Sequence, residues 1–295
     1  MPSVVKKAEV GEPDLYYSAD GISVYLADAR TKLAEFDTGA FQCCVTSPPY
    51  WGLRDYDHPN QIGAEPFLDD YIRDLVKVFR EVRRTLRDDG TFWLNIGDAY
   101  TSGGRTWRAP DKKNPGRAMS YRPDTPEGLK PKDLIGLPWR LAFALQADGW
   151  YLRSEIIWNK PNCQPESVKD RLTRSHEYVF LLSKSERYLF NQERIMEPAI
   201  GGGGRKNRRT VWNIQTEGFT GAHFAVFPPK LVELCLLAGS DEGGLVLDPF
   251  LGSGTVGAVA KRLQRACVGI EMNAAYAEMA TRRIRGEQHQ LKLLS

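Results

Sequence analysis

Leu245-Val246-Leu247-Asp248-Pro249-Phe250-Leu251-Gly252-Ser253-Gly254-Thr255-Val256-Gly257 is the stretch that decides how this chain folds. An apolar run that reads as a buried strand ends at an aspartate, a glycine-rich turn follows, and a helical pattern opens at Thr255. Strand, tight turn and helix in that order form the first part of a βαβ unit. The turn also offers free backbone N–H groups at a helix start, which suits a carboxylate or phosphate. The segment satisfies G-x-G-x-x-G, and Glu271 lies 19 residues beyond Gly252, so a dinucleotide fingerprint is met formally. Only 24 residues follow Glu271, too few for the second half of a dinucleotide fold. Glu271 at a strand tip can accept both hydroxyls of a ribose, and Asp248 offers an acceptor suited to an ammonium. A nucleoside with an amino-acid tail meets these groups better than a pyrophosphate does.

Outward from this stretch, apolar runs and helical patterns alternate. Strands are expected at residues 22–27, 41–45, 91–96, 150–158, 177–182, 245–247 and 266–270. Helices are expected from Leu68 through Ile72, Leu75, Phe79, Val82 and Leu86 to a stop at Gly90, and over 138–147, 229–238, 255–263 and 273–285. The pattern is that of a doubly wound, mostly parallel α/β sheet. Two stretches interrupt it. Residues 101–132 are rich in Gly, Pro, Lys and Arg, and 201–209 read as a flexible glycine hinge followed by concentrated positive charge. Each alone reads as a solvated loop, but together on one scaffold they suggest a polyanion-binding cleft.

Composition sets the outer limits. The 295 residues are 42% hydrophobic and 26% charged, which excludes global disorder, and the net charge of +3 is too small to signal nucleic acid without local clustering. Five cysteines show no C-x-x-C pairing, so neither a disulfide framework nor a zinc site is expected. No apolar run approaches the roughly 18 residues of a membrane span, and no signal peptide is visible, which points to a cytoplasmic protein.

A second signal is Thr46-Ser47-Pro48-Pro49-Tyr50-Trp51, at the end of an apolar run where open α/β sheets place their ligands. Consecutive prolines donate no N–H, and Pro49 forces Pro48 into an extended conformation. The Pro48 carbonyl and the Ser47 hydroxyl then form two fixed acceptors beside an aromatic ring, a match for a planar base with an exocyclic amine.

With both loops in view, the chain resembles the amino-methylating DNA methyltransferases, which modify cytosine N4 or adenine N6 with S-adenosyl-L-methionine. Their catalytic signature, [S/D/N]-P-P-[Y/F/W], stands here as Ser47, Pro48, Pro49 and Tyr50. Their cofactor signature, D-P-F-x-G-S-G-T, stands unbroken at 248–255. The resemblance implies cofactor contacts from Asp28, Thr46, Phe224, Asp248, Phe250, Gly252, Ser253, Gly254, Thr255 and Glu271. Phe224 lies in a His-Phe-Ala-Val-Phe-Pro segment similar to the one lining the family's methionine pocket.

The proline loop precedes the glycine loop by 205 residues with the basic stretches between, an order similar to the permuted β class. The implied architecture is a seven-stranded sheet in five parts: a catalytic half (1–100), a basic insertion for target recognition (101–135), a continuation of the sheet (136–190), a basic Gly-rich loop (191–222) and a cofactor half (223–295). Double-stranded DNA is the implied partner, with a cognate restriction endonuclease alongside. Phosphate contacts are expected from Arg105, Arg108, Lys112, Lys113, Arg117, Arg205, Lys206, Arg208 and Arg209, with Trp107 or Tyr121 inserting or stacking. Serine at position 47 is similar to the cytosine-N4 subgroup, with adenine N6 as the alternative.

Rival readings are a nicotinamide-dependent dehydrogenase built on Gly252, Gly254 and Gly257, and a catalytically silent DNA-binding homologue. A cytosine-C5 enzyme would need a nucleophilic cysteine, and Cys163 resembles that family's Pro-Cys-Gln only with an inserted Asn. No general base is obligatory: His58 and His176 are candidates by chemistry alone, with a structural role preferred for each, Asp98 contacts substrate or ends its strand, and Cys43 and Cys44 belong to the core. Monomer and homodimer both stay open.

Overall fold

Alternate residues of each central strand face opposite helix layers, and that period of two builds the molecule. In the computed structural model, which describes residues 13–53, 60–102, 122–199, 201, 203–217 and 228–287, eleven strands and six helices follow one another. They are β1 (Leu15–Ala19), β2 (Ile22–Leu26), α1 (Ala29–Lys32), β3 (Phe41–Thr46), α2 (Leu68–Thr85), β4 (Leu86–Ile96), α3 (Leu137–Ala147), β5 (Tyr151–Asn159), β6 (His176–Ser183), β7 (Glu197–Pro198), β8 (Arg205–Lys206), β9 (Val211–Asn213), α4 (Pro229–Gly239), β10 (Leu245–Asp248), α5 (Thr255–Arg262), β11 (Ala266–Glu271) and α6 (Ala274–Gly286). Cys43, Val45, Trp93, Val246 and Cys267 pack under α4, α5 and α6, while Cys44, Phe92, Leu94, Leu247 and Val268 pack under α1, α2 and α3.

The main sheet runs β1-β2-β11-β10-β3-β4-β6-β5-β9. Only β1 and β6 run against the rest. Seven central strands match the expected sheet, and β1 and β9 extend it by one strand at each edge. Those two escape a reading of the sequence because they are short and mostly exposed, without a buried alternation to mark them. β10 pairs in parallel with both β3 and β11, so the two ends of the chain meet at the centre of the sheet. The carboxyl ends of β2, β11, β10, β3, β4 and β5 share one edge, and β6 starts there.

Two local expectations need correcting. Gly90 does not close the helix after Leu68: α2 ends at Thr85, and Gly90 lies inside β4. Pairing jumps from Phe41–Leu86 to Cys43–Thr91, so residues 87–90 form a bulge that keeps both flanks in one strand. Gly201, Gly203 and Gly204, all at positive φ, lie between the paired strands of the β7–β8 hairpin, so the described glycines of this run serve a turn rather than the expected hinge. Among the described residues no helix is long and apolar enough to cross a membrane, and no cluster of three metal-ligating side chains occurs.

Candidate active site

Asp248, Thr46 and Glu271 end three neighbouring strands, β10, β3 and β11, so the sheet itself brings the two loops together. Asp248 is fully buried. Its Oδ1 accepts from Thr46 Oγ1 at 2.6 Å and from the Phe250 N–H at 3.1 Å, and its Oδ2 is enclosed with no partner among the described residues. Burial pushes this carboxyl up to about 7 against the pull of those hydrogen bonds, with the nearby Glu271 charge adding to the rise. Glu271 accepts from the Gly252 N–H at 2.8 Å and the Asn273 N–H at 2.9 Å, and burial raises its pKa too.

The turn is glycine by necessity. Gly254 has φ +80°, and a Cβ there would sit 2.7 Å from the Ala280 Cα of α6. At Gly252 (φ +53°) a Cβ would meet nothing closer than 3.9 Å, so the loop's outer face is open for a ligand. Arg283 of α6 donates to Thr255 Oγ1 at 2.7 Å and to Ser253 Oγ at 3.3 Å, bracing the loop from behind. Phe250 lies edge-on to Phe79. An open backbone cradle, two carboxylates and an enclosed acceptor lacking a donor fit a nucleoside carrying an ammonium. Asp28, one strand further along, caps α1 through the Arg30 N–H at 2.9 Å and pairs with the Arg30 guanidinium.

The proline loop is held by side chains from distant elements. Tyr71 of α2 donates to the Pro49 carbonyl at 2.8 Å, and no described residue donates to the Pro48 carbonyl. Asn95 of β4 holds the two hydrogens of Nδ2 among three acceptors, Ser47 Oγ (3.2 Å), Tyr50 Oη (3.1 Å) and Glu177 Oε2 (3.1 Å). Tyr50 Oη donates to Glu177 Oε2 at 2.8 Å, and Lys160 pairs with the other oxygen of Glu177. Burial would raise the Glu177 carboxyl, but the Lys160 charge and three donors outweigh it and hold it below the ordinary carboxylate value. Burial and the Glu177 charge push the Tyr50 phenol well up, so it keeps its proton. Gly97 leaves room for the ring: a Cβ there would lie 2.9 Å from Tyr50 Cε2.

Asn95, Lys160 and Glu177 are absent from the sequence-derived candidates. Their signal was there to find, a polar residue inside Thr-Phe-Trp-Leu-Asn-Ile and another at the head of Glu-Tyr-Val-Phe-Leu-Leu, both on otherwise apolar strands. The β5–β6 loop was missed as well. It joins the two strands at this edge and carries Lys169, Arg171, Arg174 and Leu172, which is 89% exposed; Arg171 pairs with Glu166 and stacks 3.9 Å over Tyr100.

The remaining candidates make contacts of their own. Asp98 accepts from the N–H groups of Ala99, Gly136 and Leu137, fixing the start of α3. His176 lies edge-on to Tyr178, and burial with nearby Arg174 lowers its pKa. Lys206 and Arg209 both pair with Glu197, and Arg205 and Arg208 donate to the Met196 and Ile195 carbonyls. The basic run is therefore partly neutralised by its own hairpin. Cys43 and Cys44 are buried in the core, where burial pushes the Cys43 thiol up to about 12, and Cys163 lies in the β5–β6 loop. Arg105, Trp107, Arg108, Lys112, Lys113, Arg117, Tyr121, Phe224 and His58 lie outside the described residues.

Known proteins share this chain's features over most of its length. A family model described as DNA methylase, covering N6 and N4 enzymes, matches residues 41–282. Type II methyltransferase M.SmaI of Serratia marcescens is 67% identical over 262 residues, 88% of this chain and 90% of that protein. Type II methyltransferase M.Cfr9I of Citrobacter freundii is 57% identical over 286 residues, 97% and 94% of the two chains. Among solved structures, the cytosine-N4-specific PvuII DNA methyltransferase has the same fold, with a TM-score of 0.67 at 21% identity over 89% of this chain and 86% of that one. A Thermus thermophilus protein solved in complex with S-adenosyl-L-methionine gives a TM-score of 0.61 at 25% identity over 89% and 94%.

Proposed function

The chain belongs to the N6/N4 family of DNA methylases, and on that premise we propose that it methylates the exocyclic N4 amine of cytosine in double-stranded DNA. Membership removes the dehydrogenase and cytosine-C5 readings, and S-adenosyl-L-methionine is the cofactor. When bound, it supplies an electrophilic methyl group on a sulfonium. The residues proposed to hold it are Asp248, Phe250, Gly252, Ser253, Gly254, Thr255 and Glu271, with Thr46 orienting Asp248, Asp28 one strand further along, and Phe224, outside the described residues, by resemblance alone.

The observation that carries the reading is the pair of acceptors on the proline loop. Ser47 Oγ receives one hydrogen from Asn95 and faces Tyr50 Oη at 3.5 Å, which leaves a lone pair free, and the Pro48 carbonyl is unused by any described residue. Two acceptors match the two hydrogens of an exocyclic amine. Engaging both turns the nitrogen lone pair out of conjugation with the ring and toward the methyl group, so catalysis is chiefly positioning. Pro49 locks the loop and Tyr50 offers its ring to the base. The base must leave the helix first, at a cost of about a few kcal/mol of unstacking. Basic groups of 101–135, Arg205 and Arg208, with the Lys169–Arg174 loop, supply phosphate contacts during that step.

Serine at the head of the proline motif favours cytosine N4 over adenine N6. The Type II relatives further suggest a modification role beside a cognate endonuclease. The test is mass spectrometry of nucleosides from DNA incubated with the enzyme and isotopically labelled S-adenosyl-L-methionine. Labelled N4-methylcytosine is expected. Labelled N6-methyladenine would overturn the base assignment alone, and absence of label from every DNA would favour a silent homologue.

A further inference from the structure

Glu177 is the feature the proposed chemistry does not yet use. A carboxylate taken from water costs several kcal/mol even after relaxation, and a lysine repays that only with good geometry and satisfied lone pairs. Here the carboxylate is 16% exposed, and its Oε2 faces away from Lys160 toward the proline loop. That oxygen receives the Tyr50 hydroxyl at 2.8 Å and the Asn95 amide at 3.1 Å, and Tyr50 Oη in turn faces Ser47 Oγ at 3.5 Å. The last step is long for a hydroxyl pair, and the Asn95 amide, whose two hydrogens are shared among Ser47 Oγ, Tyr50 Oη and Glu177 Oε2, spans it. Such bonds commonly tighten when substrate arrives. Polarity along the chain is defined: Ser47 donates to Tyr50, and Tyr50 donates to Glu177.

We propose that Glu177 is a positioning residue and the terminal proton acceptor of a relay that runs from the target amine through Ser47 and Tyr50. The inference rests on the amine-methylation reading above. With its own hydrogen committed to Tyr50, Ser47 must present a lone pair to the amine. The amine nitrogen forms its bond to the methyl carbon as the carbon–sulfur bond breaks, whose electron pair stays with sulfur, and the nitrogen is left with one proton in excess. That proton passes to Ser47 Oγ, the Ser47 hydroxyl proton to Tyr50 Oη, and the Tyr50 phenolic proton to Glu177 Oε2. Ser47 and Tyr50 end neutral, and Glu177 ends as a carboxylic acid beside the Lys160 ammonium. It ionises again to solvent when the product base departs. The cationic exocyclic nitrogen of an electron-poor base, cut off from ring conjugation, is a stronger acid than a carboxylic acid, so a carboxylate held below its ordinary value by Lys160 still accepts the proton. Tyr50, whose phenol holds its proton tightly, passes charge on without storing it.

The test is Glu177→Gln in the full chain, read by single-turnover methylation together with Kd for S-adenosyl-L-methionine and for DNA. General acid–base contributions of this kind predict a rate loss of about 100-fold, with both Kd values within about two-fold of wild type. Tyr50→Phe, which keeps the ring, should lose a comparable factor, and the double variant no more than either single one, because the two act as one unit. Formate added to Glu177→Ala should restore part of the rate, which a purely structural ion pair would not allow. If Glu177→Gln strands Lys160 and fails to fold, Glu177→Gln with Lys160→Met keeps the pair neutral and must still be slow. A wild-type rate in either Gln variant, additive losses with Tyr50→Phe, or no response to formate overturns the relay alone. A wild-type chain that methylates no DNA overturns the underlying reading as well.

Discussion

The glycine loop and the proline loop lie on adjacent strands and are built in opposite ways. The glycine loop is satisfied largely by its own neighbourhood: the Gly252 N–H reaches Glu271, the Leu251 N–H reaches the Ile270 carbonyl, and the Phe250 N–H reaches Asp248. Its long-range ties, Thr46 and Arg283, brace a shape the backbone already holds. The proline loop has a rigid backbone but places its chemistry through Tyr71, Asn95, Lys160 and Glu177, one from each of four other parts of the chain. The cofactor loop is thus a conformation, whereas the catalytic loop is an assembly. Damage to the first should register in folding and ligand affinity, and damage to the second in rate.

The largest effect that would sharpen this contrast is Gly254→Ala. Positive φ and a Cβ driven into α6 together should cost about 3–5 kcal/mol of stability, seen as a large fall in Tm and lost S-adenosyl-L-methionine binding. Tyr50→Ala should do the reverse, slowing methyl transfer by about 100-fold or more while calorimetric affinity for the cofactor holds. Equal losses of affinity in both variants would break the distinction. Next comes Thr46→Val, which removes the 2.6 Å donor from a buried carboxylate and should cost about 1–3 kcal/mol in chemical denaturation.

A further probe is pH. The Asp248 carboxyl, held at about 7, sits above its unfolded value of about 3.9. The stability it contributes is full below the unfolded value and is lost as pH rises through about 7, with Glu271, also raised, acting in the same direction. The Tm of the ligand-free protein should therefore fall across that window, and Asp248→Asn should flatten the slope. Binding a ligand with an ammonium should expel a proton below pH 7, which calorimetry in buffers of different ionisation enthalpy would register. The smallest effect separates two arginines of one hairpin. Arg205→Ala should weaken DNA binding by a few-fold and lower the salt slope by about 1, whereas Arg209→Ala, whose charge already faces Glu197, should do less.

The doubly wound sheet was legible because its strands are buried on both faces and its helices carry clear apolar periods. The last helix opens one residue later than expected because Asn273 caps it, its side chain accepting from the Ala275 and Tyr276 N–H groups. The edge strands were not legible, since β1 is largely solvent-facing and β9 has three residues. Nor was the fate of the basic run after Gly204, because Glu197 precedes it and only a hairpin brings the two together. Gly90 misled for a related reason: a glycine that ends a helix and one that eases a bulge look alike without the partner strand.

What the linear chain determined by itself are the features whose physics is local. Glycines that tolerate positive φ, prolines that lock an extended turn, and carboxylates at strand tips act within a few residues of themselves, so Asp248, Gly252, Gly254, Ser47 and Tyr50 declare themselves in order along the chain. Tertiary structure alone decided that Thr46 would cap the Asp248 carboxylate and that Glu177, with Asn95 and Lys160, would stand behind Ser47. Those contacts depend on strand order: β10 lies beside β3, and β6 enters antiparallel between β4 and β5. That order follows from which apolar faces bury one another across the whole sheet, and no short window of residues contains that information.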